Sequence, residues 1–171
     1  MSANPFAWSF RKQFLTGFLL CAALLAYALY VQFNMLMLPC PLCILQRIAF
    51  AVLGLVFLIG GLHAPVGRVG RAVYGLLALV PAAVGAGIAG RHVWLQGLPA
   101  DQVPLCTSMG LDYMVEAMGP MSALAKVLQG SGECAKVDWT FLGVSMPGWT
   151  LAWFIGLGLG ALWAALRRRP A

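Results

Sequence analysis

Four stretches of this chain, Phe14 to Val31, Cys43 to Leu62, Ala72 to Gly90 and Pro147 to Leu166, are each long and apolar enough to cross about 30 Å of hydrocarbon. No water reaches the backbone there, so each stretch has to satisfy its own hydrogen bonds and each is expected to be a helix. Of the 171 residues, 61% are hydrophobic and only 9% are charged, which is too little polar surface to coat a soluble globule of this size. The expected fold is therefore an all-α membrane protein, a single four-transmembrane-helix bundle spanning residues 1–171, with loops at about 32–42 and 91–146.

The formal net charge of +6 raises the question of an anionic partner, and the position of each charge answers it. Arg11 and Lys12 precede the first span, Arg68 and Arg71 lie in the short second loop, and Arg167, Arg168 and Arg169 follow the fourth span. The positive-inside bias makes these flanks cytoplasmic and puts both termini on the inner side. All five acids, Asp101, Asp112, Glu116, Glu133 and Asp138, then fall in the long outward loop. The basic balance reads as topology, and no nucleic-acid partner is expected. Arg11 and Lys12 ahead of an apolar stretch containing Ala26-Tyr27-Ala28 also resemble a secretory signal, but the run is longer than a usual signal core, so a retained first span is expected.

Pro39 and Pro41 close the first outer segment and separate the first two helices. Within the long loop, Met114, Met118, Met121, Leu124 and Leu128 recur at spacings of three or four, broken by Gly119 and Pro120. A short helix along the membrane interface fits this stripe, and so does a helix packed on the tops of the spans. Gly85, Ala86, Gly87 and Gly90 in the third span, and Gly156, Gly158 and Gly160 in the fourth, offer small faces for close helix contact. Pro81 is expected to kink the third span.

Topology also sorts the five cysteines. Cys21 lies within the first span, where a thiol behaves as a small hydrophobe. The other four face outward: Cys40 and Cys43 at the outer end of the second span, Cys106 and Cys134 in the long loop. On an oxidising outer face such thiols pair, and four cysteines permit three pairings. The two-residue spacing favours Cys40 with Cys43, which leaves Cys106 with Cys134 in a Gly-rich loop open to attack by a partner's thiolate. A structural staple is the plain alternative, but a C-x-x-C ring constrains little chain entropy and serves better as a redox switch. A zinc site would need a second C-x-x-C or a nearby His around Cys106 or Cys134, and "LCTSMG" and "GECAKV" lack both, so no metal is expected.

Arg47 lies four residues after Cys43 and seven after Cys40, on one face of a helix that starts at the cysteines. A cation at the outer end of a span is costly and marks a functional position. It can stabilise a thiolate together with the helix N-terminus, donate hydrogen bonds to an electron acceptor's carbonyl oxygen, or simply snorkel to headgroups. His92, in "RHVWLQ", opens the long loop at the level of the cysteine pair, where it can donate a hydrogen bond or pass a proton.

Taken together, C-P-L-C followed by Arg47, "RHVWLQ", the two loop cysteines and "DWTFLGVSMPGW" leading into the fourth span resemble the DsbB family over nearly the whole chain. The resemblance implies an inner-membrane thiol:quinone oxidoreductase that reoxidises a periplasmic DsbA-like dithiol oxidase. By the same resemblance Cys106 and Cys134 form the disulfide that accepts the partner's electrons, with Cys106 in the mixed disulfide. Cys40 and Cys43 would pass those electrons to a bound quinone, ubiquinone or menaquinone, with Arg47 and His92 at its binding site. A vitamin-K-epoxide-reductase-like enzyme also combines a small bundle, a C-x-x-C and an outer pair, but there the pairs come in the reverse order. A membrane scaffold stapled by non-catalytic disulfides is the alternative outside catalysis.

Overall fold

The computed structural model describes residues 9–34, 36, 39–99, 101–102, 116–117, 119–130, 132–137 and 139–167. Four long helices fall on the four apolar stretches: α1 (Phe10–Asn34), α2 (Pro41–His63), α3 (Arg68–Gln96) and, last in the chain, α6 (Met146–Leu166). Between α3 and α6 lie α4 (Pro120–Gln129), a single turn α5 (Gly132–Ala135) and a two-stranded hairpin, β1 (Thr140–Phe141) and β2 (Val144–Ser145). The protein is thus a multi-pass membrane bundle, as its composition requires.

The spans begin or end a few residues beyond the purely apolar runs. The polar ends Phe10 to Gln13 and Arg91 to Gln96 stay helical because a helix needs backbone bonds rather than hydrocarbon to continue into the interface. Pro81 is buried inside α3, which continues as one helix through it.

Lipid tails give helices no hydrophobic reason to associate, so shape must do it. Helix α3 packs most extensively on α6, α1 on α2 and α2 on α3, and α1 also touches α6. The centre is aromatic: Phe50 stacks on Phe154 with ring centroids 3.9 Å apart, and Phe14 meets Phe57 edge-on at 5.2 Å. Cys21 is buried in this same cluster, as a hydrophobe should be. Small residues let the rings in. A methyl group on Gly85 would collide with the Phe154 ring, and one on Gly158 would press on Ala82. Gly87, Gly90, Gly156 and Gly160 have open space instead, so only part of the expected small face is an interface.

On the loop side, Gly119 takes a left-handed φ of 79° and Pro120 opens α4, a sequence pair suited to starting a helix after a sharp turn. Of the apolar stripe, Met114 and Met118 lie outside the described residues. Met121, Leu124 and Leu128 are exposed, and Val127 packs inward. The described members of the stripe therefore face away from the bundle, the arrangement an interfacial helix needs. The hairpin turns through Leu142 and Gly143, both at positive φ, which is the type I′ geometry that matches strand twist.

Candidate active site

Pro39 and Pro41 delay α2, and Cys40 becomes its N-cap, with extended backbone and a sulfur that accepts from the Cys43 N–H at 3.4 Å. The C-x-x-C spacing then returns the Cys43 sulfur to within 2.9 Å of the Cys40 sulfur. Both are thiols in this structure, within about 1 Å of bonding distance. Nearly one turn of helix thus creates the pair.

One turn deeper, Arg47 reaches sideways to α1. It donates to the Gln32 side-chain oxygen and, through Nη2, to the Ala28 carbonyl at 3.1 Å. It is thus partly buried and held by protein partners on α1.

His92 arrives from α3 and is buried, 3% exposed. Its Nε2 lies 3.9 Å from the Cys40 sulfur and its Nδ1 3.1 Å from the Gln46 amide nitrogen. Gln46, also buried, is reached on its other side by the Thr150 hydroxyl of α6 at 2.6 Å, and that hydroxyl stands 2.9 Å from the Pro147 carbonyl. Three helices are tied by one polar chain that ends on a cysteine. Gln46 and Thr150 were invisible as site residues in the sequence, where a lone Gln between Leu45 and Arg47 carries no spacing signal. The one available hint was an amide in the middle of an apolar run.

The chain can be polarised in two directions. If Thr150 donates to the Gln46 oxygen, the Gln46 amide donates to Nδ1 and the Nε2–H faces the Cys40 sulfur. If Thr150 donates to Pro147, a turned Gln46 amide donates to Thr150 and accepts from Nδ1–H, and Nε2 presents a lone pair instead. Each contact of the chain pairs a donor with an acceptor in both.

Cys40, Cys43, Gln46, Arg47, His92 and Thr150 all line one cavity of about 910 Å³, whose remaining wall is largely apolar and aromatic, with Phe50, Trp139, Phe141, Trp149 and Trp153. The hairpin closes part of it, held to α6 by the Trp149 indole N–H donating to the Phe141 carbonyl at 3.1 Å. A second tie runs from the Ser145 hydroxyl to the Gln96 side chain at 2.6 Å. The sequence placed Arg47 and His92 at the level of the cysteines, and the structure brings all four residues to the same cavity.

Of the loop cysteines, Cys106 lies outside the described residues. Cys134, in α5, is fully buried against Leu42, Leu95 and Val127, and Cys40 packs against this same cluster. An exposed loop cysteine was expected at this position. The difference has a packing cause: α5 lies against α3, and Leu95 fills the space beside Gly130, whose left-handed φ of 86° turns the chain inward.

Comparison with known proteins agrees with this architecture. Residues 10–164 match the family model described as disulfide bond formation protein DsbB. A disulfide bond formation protein B of Xanthomonas campestris pv. campestris is 55% identical over 166 residues, covering 97% of this chain and 96% of the relative. A protein of the same name from Xylella fastidiosa is 50% identical over 170 residues, 98% of each chain. Such names carry an oxidoreductase role in making disulfides, for which a cysteine pair on a cavity wall is the required chemistry. The match runs through spans, cavity wall and loop alike, and the chain belongs to the DsbB family.

Proposed function

We propose that this protein is an inner-membrane thiol:quinone oxidoreductase that reoxidises a periplasmic DsbA-like dithiol oxidase and so sustains protein disulfide formation. The observation that carries the reading is the placement of the Cys40 and Cys43 sulfurs, 2.9 Å apart, in the wall of a largely apolar cavity that also presents Arg47 and His92. A volume of about 910 Å³ accommodates a quinone ring and the start of its tail, and apolar walls with few polar groups suit such a ligand.

A quinone bound there supplies a sink for two electrons and two protons. The chain's own residues do the rest. Arg47 holds its charge beside the cavity and has donors in a planar fork suited to carbonyl oxygens. His92 offers a proton or a lone pair to the cavity according to the polarity of the Gln46–Thr150 chain. The aromatic wall under the hairpin keeps water from the sulfurs.

Two cysteine pairs divide the work. Exchange proceeds by thiolate attack on a disulfide through a mixed disulfide. In this reading Cys106 meets the soluble partner and Cys134 is displaced as a thiolate. Cys134 then attacks the Cys40–Cys43 disulfide at Cys40, against whose cluster it is packed. The partner's second thiolate cleaves the mixed disulfide, releasing oxidised partner and the Cys106 thiolate; Cys106 then attacks the Cys134–Cys40 disulfide at Cys134, which restores the loop disulfide and leaves Cys40 and Cys43 as the dithiol. Two electrons have moved inward and no disulfide is lost from the balance.

The test is turnover of purified protein with a short-chain quinone and a reduced thioredoxin-fold partner. Serine at any of Cys40, Cys43, Cys106 or Cys134 is expected to stop it. Full activity in the Cys40→Ser protein would end the relay reading.

A further inference from the structure

We propose that the reduced Cys40–Cys43 pair and His92 together form a binding site for Zn2+, filled only when the pair is in its dithiol form. The three candidate ligand atoms lie within 4.8 Å of one another. The third ligand comes from α3, some fifty positions along the chain, which is why a spacing argument over the cysteines alone sees no metal site.

The donor set fits the ion. Zinc takes thiolate sulfur at about 2.3 Å and imidazole nitrogen at about 2.0–2.1 Å in tetrahedral array, so two bound sulfurs stand about 3.8 Å apart and a sulfur and a nitrogen about 3.6 Å apart. The Cys40 sulfur to Nε2 distance is 3.9 Å, close to that value; rotation of the Cys43 side chain has to open the sulfur pair from 2.9 Å and draw its sulfur toward the ring, from which it stands no more than 4.8 Å. All three residues line the cavity, which leaves the fourth position to water, the usual pattern of an open zinc site. Two thiolates cancel the ion's charge, so the loaded site is neutral in apolar surroundings. Arg47, the nearby cation, is turned toward Gln32 and Ala28 of α1.

The supporting shell fits as well. A zinc-bound histidine donates its other ring N–H to an oxygen that fixes its tautomer. The Gln46 amide, in the polarity where its oxygen accepts from Nδ1–H and its nitrogen donates to Thr150, does this, and Thr150 passes the chain to the Pro147 carbonyl. Binding replaces two S–H bonds by two Zn–S bonds and releases two protons, with no change of oxidation state. A zinc-loaded pair has no thiols to oxidise, so the ion holds the site reduced and idle until it is withdrawn. That consequence rests on the proposed function; the binding itself does not.

The experiment uses full-length protein in detergent, reduced with a non-chelating phosphine, without quinone or partner, and titrated with Co2+ and then Zn2+. One Co2+ per chain is expected, with the visible bands of a tetrahedral ion and a thiolate-to-cobalt charge-transfer band, all bleached by one equivalent of Zn2+. The signal should vanish in Cys40→Ser and Cys43→Ser and in the oxidised protein. Gln46→Leu should weaken Zn2+ binding about 10- to 100-fold, while a Cys106→Ser/Cys134→Ser double variant keeps it; helical circular dichroism checks each fold. Absence of the bands in reduced protein, their survival in Cys40→Ser, or their loss in the double variant would overturn the assignment. None of these outcomes bears on turnover. Conversely, an active Cys40→Ser enzyme would remove the proposed function and leave the metal data standing.

Discussion

Replacing Gln46 with leucine tests whether the polar chain across three helices serves the cysteine pair. Gln46 is 4% exposed and makes two interhelical hydrogen bonds, to His92 at 3.1 Å and to Thr150 at 2.6 Å. The loss is unequal on the two sides. Thr150 keeps the Pro147 carbonyl at 2.9 Å, whereas the His92 Nδ1 is stranded in a buried ring. A buried polar group left unpaired costs about 1–3 kcal/mol, and interhelical hydrogen bonds in membranes average nearer about 0.6 kcal/mol, so about 1–2 kcal/mol is expected here. If the whole cost falls on His92's placement beside Cys40, kcat/KM for partner oxidation drops about 5- to 30-fold. Gln46→Glu, isosteric and able to accept from both neighbours, should restore most of it. The decisive comparison is a double-mutant cycle in the quinone turnover assay. In a His92→Ala background, Gln46→Leu should cost less than about twofold, because the group it positions is gone. An equal loss in both backgrounds would refute the idea that Gln46 acts through His92.

Arg47→Ala is expected chiefly to raise the apparent KM for quinone, and Arg47→Lys to recover only part of the loss because the planar fork is gone; an unchanged KM would reduce Arg47 to a tie between α2 and α1. Gly85→Ala should destabilise the bundle by about 1–3 kcal/mol through overpacking against Phe154, while Gly87→Ala, with open space around it, should be neutral or stabilising by up to about 1 kcal/mol. Reversible denaturation in mixed micelles separates the two, and equal effects would mean that the α3–α6 contact is misassigned. Cys21→Ala should keep full turnover with a modest loss of stability, since Cys21 is buried in the aromatic core and away from the cavity; lost turnover would add a fifth cysteine to the chemistry.

The spans were legible because the bilayer enforces a single solution for any apolar run of that length. The pair, Arg47 and His92 were legible too: a C-x-x-C is a local event on a helix start, and a cation or imidazole at a span's end stands out against hydrocarbon. What could not be read was set by tertiary packing. Whether Gly85 or Gly87 meets a neighbour depends on the rotation of α3 against α6. The burial of Cys134 depends on α5 docking beside Leu95. Gln46 and Thr150 are linked only because α2 and α6 converge on α3, and sequence separation hides that entirely.

The burial of Cys134 has a consequence for regiochemistry. A disulfide presents two sulfurs to a nucleophile, and where both are equally accessible the choice between them rests on the pKa of the leaving thiol. With Cys134 fully buried behind Leu42, Leu95 and Val127, the loop disulfide of the proposed relay would be asymmetric: a thiolate from solution would be directed to the other sulfur, with Cys134 as the leaving group of that first step. In that relay the displaced thiolate would be released into the protein's interior beside Cys40 rather than into water, where small thiols would compete for the next step. Burying a single sulfur would thereby give the proposed electron flow a direction and close off a short circuit.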